Sequence, residues 1–188
     1  MAKVAFFTFG FLREAAEHPQ MQPFWDSSPH NFEAAEQSDG FLDRSRRHPE
    51  TGQYDWGNSE DFQFLREEEY GRERSLWTLS VWEDLESVFA FAYAGVHAEA
   101  LSHRKEWFLK PEWPTYVAWW ITDEHTPTWR EAVERHKHLH EHGPSPVAFD
   151  FKHPFGADEK PLELDRRLVK VKMERNALKR KGNKSVTV

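Results

Sequence analysis

The stretch LWTLSVWEDLESVFAFAYAGVHAEALSHRKEWF, residues 76–108, decides the fold, because a strand pattern changes there into a helix pattern. LWTLSVW is rich in the aromatic and β-branched residues that favour strands. Glu83 and Asp84 then supply negative charge, which stabilises the positive end of a helix. We therefore expect a strand followed by one long helix that runs to about Phe108.

Two further segments have the composition of central strands that are covered on both faces, because apolar residues occupy both alternating sets of positions. They are KVAFFTFGFL, residues 3–12, and TYVAWWIT, residues 115–122. A weaker strand is expected at FLDRSRR, residues 41–47, and a short extended piece at AFDFKHPF, residues 148–155. The sequence thus predicts three clear strands and one weak strand.

Two more helices are expected between these strands. One is predicted from Pro29 to Ser38 and ends at Gly40. The other covers TPTWREAVERHKHLHEHG, residues 126–143, with Thr126 as its cap and Pro127 at its first position. The whole order of elements is typical of an α+β, ferredoxin-like split βαβ fold with an antiparallel sheet.

The two faces of such a sheet have different covers. Both helices of a split βαβ unit cover one face, which leaves the other face bare. Because the central strands are apolar on both faces, we expect a homodimer that packs two sheets together as a dimeric α+β barrel. One of Trp119 and Trp120 should then lie in the interface, since alternation sends them to opposite faces.

The charge distribution divides the chain into a body and an arm. Residues 1–155 carry 15 basic and 27 acidic side chains, a net charge of −12, whereas residues 156–188 carry 10 and 5, a net charge of +5. We expect a single domain over 1–155 with an elaborated loop at about 48–75, which includes one possible strand at 61–65. Residues 156–188 should form a basic, partly helical C-terminal arm that lies on the acidic body.

Composition also limits the class of function. The acidic body argues against nucleic acid as a partner, because phosphate binding needs concentrated positive charge. The absence of cysteine excludes thiolate catalysis and thiolate metal sites. No long apolar run or leader is present, so a cytoplasmic protein without integral membrane association is expected. No metal is expected either, because the pair His136 and His140 has no third ligand at a recognisable spacing.

The helix after Asp84 carries the candidate site. At helical spacing, His103 would face the sheet while Tyr93, His97 and Arg104 would share one flank. A histidine can move a proton, and an arginine can hold an anionic oxygen, so a ligand site is one interpretation. The other interpretation is a packed helix with salt bridges along its sides.

The segments SVWEDLESVFAFAYAGVHAEALSHRKEWF and YVAWWITDEHTPTWREAVERHKHLHEHGPSPVAFDF, within residues 80–151, resemble the family called domain of unknown function 3291. This family is similar to the dimeric α+β barrel superfamily, which includes small antibiotic-biosynthesis-type monooxygenases, isomerases and cyclases. The resemblance implies a ligand held between sheet and helices, with Trp82, Glu83 and His97 similar to residues of the small monooxygenases.

Together these observations predict an enzyme that acts on a small hydrophobic, aromatic or polycyclic molecule by cofactor-free oxygenation, isomerisation or cyclisation. A haem-dependent enzyme is the first alternative, and a non-catalytic ligand-binding or dimeric assembly protein is the second. The expected catalytic residues are His97, His103 and Arg104. The expected substrate-binding residues are Tyr93, Glu99, Glu106, Trp107, Trp119, Trp120 and His136.

Overall fold

A four-stranded antiparallel sheet forms the centre of the computed structural model, which describes residues 2–57 and 72–184. The strands are β1 (Lys3–Phe11), β2 (Phe41–Arg44), β3 (Ser75–Trp82) and β4 (Tyr116–Ile121), in the spatial order β2-β3-β1-β4. All pairings are antiparallel. The predicted ferredoxin-like α+β fold is confirmed, and the predicted strand at 61–65 lies outside the described residues.

Six α-helices follow in chain order within the described residues. They are α1 (Gln22–Glu36), α2 (Leu85–Ala92), α3 (Gly95–Ser102), α4 (Arg104–Trp107), α5 (Trp129–His142) and α6 (Arg166–Lys184). The first helix begins before the predicted Pro29, which lies inside it. The predicted cap of α5 is also wrong, because Thr128 rather than Thr126 accepts the hydrogen bond from the Glu131 amide, at 3.2 Å.

The single long helix predicted from Asp84 to Phe108 is wrong, because the chain forms three short helices there. The first break follows Ala92, and Gly95 has a φ of +58°, a left-handed conformation that glycine adopts without steric cost. The second break is at His103, which caps both α3 and α4. Side chains beyond each break therefore do not follow the helical stripe predicted from residue spacing.

The back face of the sheet, defined by Phe7 and Phe9 of β1, is covered by α5 of the same chain. Trp129, Ala132 and Leu139 of α5 belong to the same buried cluster as these strand residues. The dimer predicted from sequence requires this face to be bare, and the face is not bare. The homodimer stays a prediction, but the face expected to form its interface already has a cover.

The front face of the sheet, defined by Val4 and Phe6 of β1, is covered by several separate segments. Leu85 and Val88 of α2 pack there with Ala35 of α1 and with Phe149 and Leu164 from the C-terminal part. At the end of β1, a third cluster forms around Leu12, Met21 and Trp107. The front face is thus covered by α1, α2 and the C-terminal part together.

The basic arm lies on the acidic body of the same chain. Its helix α6 packs along α2, and the Lys172 ammonium lies 3.1 Å from an Asp84 carboxylate oxygen and 3.9 Å from one of Asp39. Lys172 is 5% exposed, and Arg175 pairs with Asp39 at 3.0 Å. Asn176 also accepts a hydrogen bond from the Asp39 amide, at 2.7 Å. Opposite charge and hydrogen bonding therefore hold α6 in place.

We expect Lys172→Ala to lower the free energy of unfolding by about 1–3 kcal/mol, because the partly buried Asp84 carboxylate would lose its cation while Asp39 keeps Arg175. Urea denaturation would measure the loss. Lys170→Ala changes an exposed lysine of the same helix and should stay within about 0.5 kcal/mol of the parent. Equal losses in both variants would contradict a specific role for the buried ammonium.

Candidate functional site

A row of three hydroxyl side chains crosses the middle of the front face, and we call Thr78, Thr8 and Tyr116 the hydroxyl row. Thr8 pairs with Thr78 of β3 on one side and with Tyr116 of β4 on the other. The two threonine oxygens lie 2.7 Å apart. All three side chains are partly exposed, whereas Val4 on the same face of β1 is fully buried. The helix cover is therefore incomplete above the row.

The break between α2 and α3 lies beside one end of the hydroxyl row. Tyr93, the first residue after α2, is 46% exposed and packs against Phe89 with ring centroids 4.5 Å apart. Its ring also lies 6.0 Å from Phe151, which packs 5.0 Å from Tyr116. The accessible part of the row is thus bordered by aromatic rings.

The phenol of Tyr116 is a poor acid in this environment. Burial raises the pKa of Tyr116, and the neighbouring Tyr93 hydroxyl and Asp150 carboxylate act in the same direction. The Tyr116 hydroxyl therefore keeps its proton at neutral pH and can donate a hydrogen bond to an oxygen atom. Such donors stabilise negative charge that develops on a ligand oxygen.

His97 lies on the other side of the break, at the start of α3. Its Nδ1 lies 2.9 Å from the carbonyl oxygen of Ala92, and its ring packs 4.6 Å from that of Phe91. A carbonyl oxygen only accepts, so Nδ1 carries the hydrogen and Nε2 is the proton-accepting nitrogen. Burial lowers the pKa of His97, although the Ala92 carbonyl opposes the shift. The imidazole is therefore neutral near pH 7 and has the properties of a general base.

The other charged residues predicted for the site lie away from the sheet. His103 is wrongly predicted to face it, because the helix ends there. Its side chain is 45% exposed, lies 3.3 Å from Glu106 and stacks on Trp107 with centroids 5.2 Å apart. Arg104 is exposed and donates to the Leu101 carbonyl at 2.9 Å, and Glu99 is exposed on α3.

The predicted aromatic wall residues are distributed over three places. Trp107 is buried against Phe24 at the end of β1. Trp119 lies on the back face and Trp120 on the front face, as alternation predicts. Trp119 is covered by α5 of its own chain, so it does not form the expected interface between copies.

His136, also predicted as a wall residue, is fully buried between α5 and the back face. Its Nε2 lies 2.5 Å from the Pro114 carbonyl oxygen, and its ring lies 5.5 Å from that of Phe7. Burial lowers the pKa of His136 to about 4. His136 is thus a neutral core residue on the face opposite the hydroxyl row.

The functional candidates that sequence analysis missed are Thr8, Thr78 and Tyr116. A polar residue inside each apolar strand pattern was the available signal, as in FFTFG and LWTLS. The sequence did not show that these three residues share one register and one face. Among residues 2–57 and 72–184, no group of three or more histidine, cysteine or acidic residues is arranged to hold a metal ion.

Comparison with known proteins identifies a family but no activity. A domain of unknown function, DUF3291, matches residues 3–165, and no curated protein matches the chain. In that part of the chain for which the structure is described, no helix has the length and apolar character needed to cross a membrane.

Three solved structures resemble the chain weakly. A conserved protein from Methanosarcina mazei Go1 is 12% identical, with 66% of this chain and 95% of that chain covered and a TM-score of 0.40. SnoaB, a cofactor-independent oxygenase from Streptomyces nogalater, is 10% identical, with 67% and 97% covered and a TM-score of 0.38. A candidate antibiotic biosynthesis monooxygenase from Nitrosomonas europaea is 6% identical, with 67% and 93% covered and a TM-score of 0.39. Scores and identities this low transfer neither substrate nor reaction.

We expect the protein to lose stability as pH falls from 6.5 towards 4, because of His136. The unfolded state binds a proton at this imidazole more readily than the folded state in that window, so its contribution reaches about 3 kcal/mol. His136→Gln, which keeps a donor for the Pro114 carbonyl, should flatten this part of the pH dependence in urea unfolding. His142→Gln, at an exposed histidine of the same helix, is the control, and equal slopes in parent and His136→Gln would refute the assignment.

Proposed function

The chain belongs to the DUF3291 family, and we propose that it is a cofactor-free enzyme acting on a small hydrophobic molecule. The observation that carries this proposal is the hydroxyl row, a set of polar groups left accessible in the middle of a largely apolar sheet face. Accessible hydroxyls within aromatic walls can bond to the oxygen atoms of a ligand, so such a row favours a ligand with oxygen atoms.

The surroundings of the hydroxyl row support an aromatic or polycyclic substrate. The rings of Phe6, Tyr93 and Phe151 border it, with Phe6 and Tyr116 5.5 Å apart. Aromatic walls with a few placed polar groups are typical of sites for small flat molecules. In this proposal the rings hold the body of the substrate, and the hydroxyls orient its oxygen.

His97 and Tyr116 both have shifted pKa values, and each contacts a residue next to the break, His97 through Ala92 and Tyr116 through Tyr93. Groups with shifted pKa values are common in catalytic sites. Oxygenation, isomerisation and cyclisation of such substrates can share one first step, the removal of a proton next to an oxygenated carbon. In the proposed step, Nε2 of His97 takes the proton, and the released electron pair moves to the substrate oxygen. Tyr116 donates a hydrogen bond to that oxygen and stabilises its negative charge.

Two other proposals from sequence are separated from this one by simple observations. A haem enzyme would show a Soret band that scales with protein concentration. A ligand carrier would bind the same molecules at the hydroxyl row without proton transfer. Arg104 has no role in the proposed step, because it is exposed and bonded to the Leu101 carbonyl.

Binding of 2-naphthol, with naphthalene as the ligand that lacks the hydroxyl, tests the hydroxyl row. We expect Tyr116→Phe and Thr8→Val each to weaken 2-naphthol binding about 2- to 10-fold, which corresponds to one lost hydrogen bond, and to leave naphthalene binding unchanged. Isothermal titration calorimetry would measure both ligands. Thr115→Val changes an exposed hydroxyl beside Tyr116 and should bind as the parent does. Equal losses of affinity for 2-naphthol and naphthalene would show that the hydroxyl row does not bind the ligand hydroxyl.

Exchange of the C1 hydrogens of 2-tetralone in D₂O, followed by proton NMR, tests the proposed step. We expect the protein to accelerate exchange and His97→Gln to slow the catalysed rate by about 100-fold or more, because a general base contributes that much. His103→Gln should keep the parent rate, since His103 faces away from the sheet. Loss of exchange in His103→Gln with full exchange in His97→Gln would assign the general base to His103 instead of His97. Binding of 2-tetralone without exchange in the parent would identify a ligand carrier.

A further inference from the structure

The outer edge of β4 is only partly paired. On this open side, the main chain of Ala118 forms two hydrogen bonds with Phe149, at 2.8 and 3.0 Å. Main-chain groups alternate between the two sides of a strand, so the N–H and C=O of Trp120 also point to the open side. Among residues 2–57 and 72–184, no group bonds to this N–H or C=O. The hydrogen-bonded pairing on this side of β4 therefore ends at Ala118 and does not include Trp120.

A groove of about 490 Å³ lies along this unpaired part of β4. Residues 119–124 and Arg135 line it, together with the loops around Val147 and Gly156. The indole of Trp120 is fixed by a 2.7 Å hydrogen bond to the Phe155 carbonyl, so the wall of the groove is held in place. The groove thus provides space next to a strand edge whose hydrogen-bonding groups are available.

The groove contains carboxylates that differ in whether a cation neutralises them. Asp123, Glu124 and Glu159 line it together with Arg135, and cations beside the groove neutralise Asp123. Arg135 donates to the Val147 carbonyl at 3.0 Å, and Lys3 pairs with Asp123 at 2.9 Å. Within the described part of the chain, neither Glu124 nor Glu159 takes part in an ion pair. A ligand with positive charge complements these two carboxylates.

We propose that this groove binds an extended peptide segment of another protein, one that carries lysine or arginine and adds as a further strand next to Trp120. Strand addition satisfies main-chain donors and acceptors on an open edge, and side-chain pockets then select the sequence. The peptide would extend the pairing that Phe149 makes with β4. The carboxylates of Glu124 and Glu159 would select basic residues. This site lies at the edge of the sheet and does not depend on the hydroxyl row.

The test uses the full chain and the acetylated, amidated peptide Val-Lys-Val-Lys-Val. Each amide of the peptide is N-methylated in turn, and affinity is measured by calorimetry. Strand addition predicts that affinity is lost at alternate positions only, because every second N–H faces the protein. Binding should also slow hydrogen exchange of the Trp120 amide, measured by NMR.

The role of the groove carboxylates in peptide binding is tested with a control glutamate outside the groove. Glu124→Gln and Glu159→Gln should each weaken peptide binding about three-fold at low salt, as exposed ion pairs do, and Glu112→Gln at an exposed site outside the groove should not. N-methyl effects without alternation, or an unprotected Trp120 amide in the bound state, would overturn the proposal. Trp120 protection that rises with protein concentration without peptide would also overturn it, because a second copy would then occupy the edge.

Discussion

Burial of β1 on both faces is the constraint on which the rest of the structure depends. Val4 and Phe7 point to opposite faces, and both are fully buried. An antiparallel sheet with apolar residues on both sides needs two covers, and this chain supplies both itself. The helix α5 closes the back face through Trp129 and Leu139. The segment after β4 is therefore part of the core and covers a sheet face within the same chain.

The front face differs because its cover is built from short pieces. The chain turns at Gly95, and the hydroxyl row remains accessible near this turn. The arm reaches the same place, since a Cβ at Gly95 would overlap the guanidinium of Arg180 from α6. The ion pair of Lys172 with Asp84 thus holds a helix that also contacts the break. The position of the arm and the accessibility of the proposed site are therefore linked, because α6 contacts the break beside the hydroxyl row.

The charge asymmetry of the sequence has two separate structural consequences. Part of the acidic excess is neutralised by α6, where Asp39 and Asp84 meet lysine and arginine. Another part remains at the open edge of β4, with Glu124 and Glu159 in the groove. In the two proposed sites, neutral hydroxyls would meet an uncharged ligand on the front face, and carboxylates would meet a cationic ligand at the edge. These two environments favour ligands of different chemistry.

The sequence by itself determined the α+β fold, the central strands and the end of α5 at Gly143, because apolar periodicity and glycine act over short distances. The continuity of the helix after Asp84 was predicted wrongly, since a glycine inside a helical pattern ends the helix only where packing favours the break. The hydroxyl row could not be read from the sequence, because strand register decides which residues meet across a sheet. Tertiary structure alone decided that Thr78, Thr8 and Tyr116 lie side by side, and that α5 rather than a second copy covers the back face.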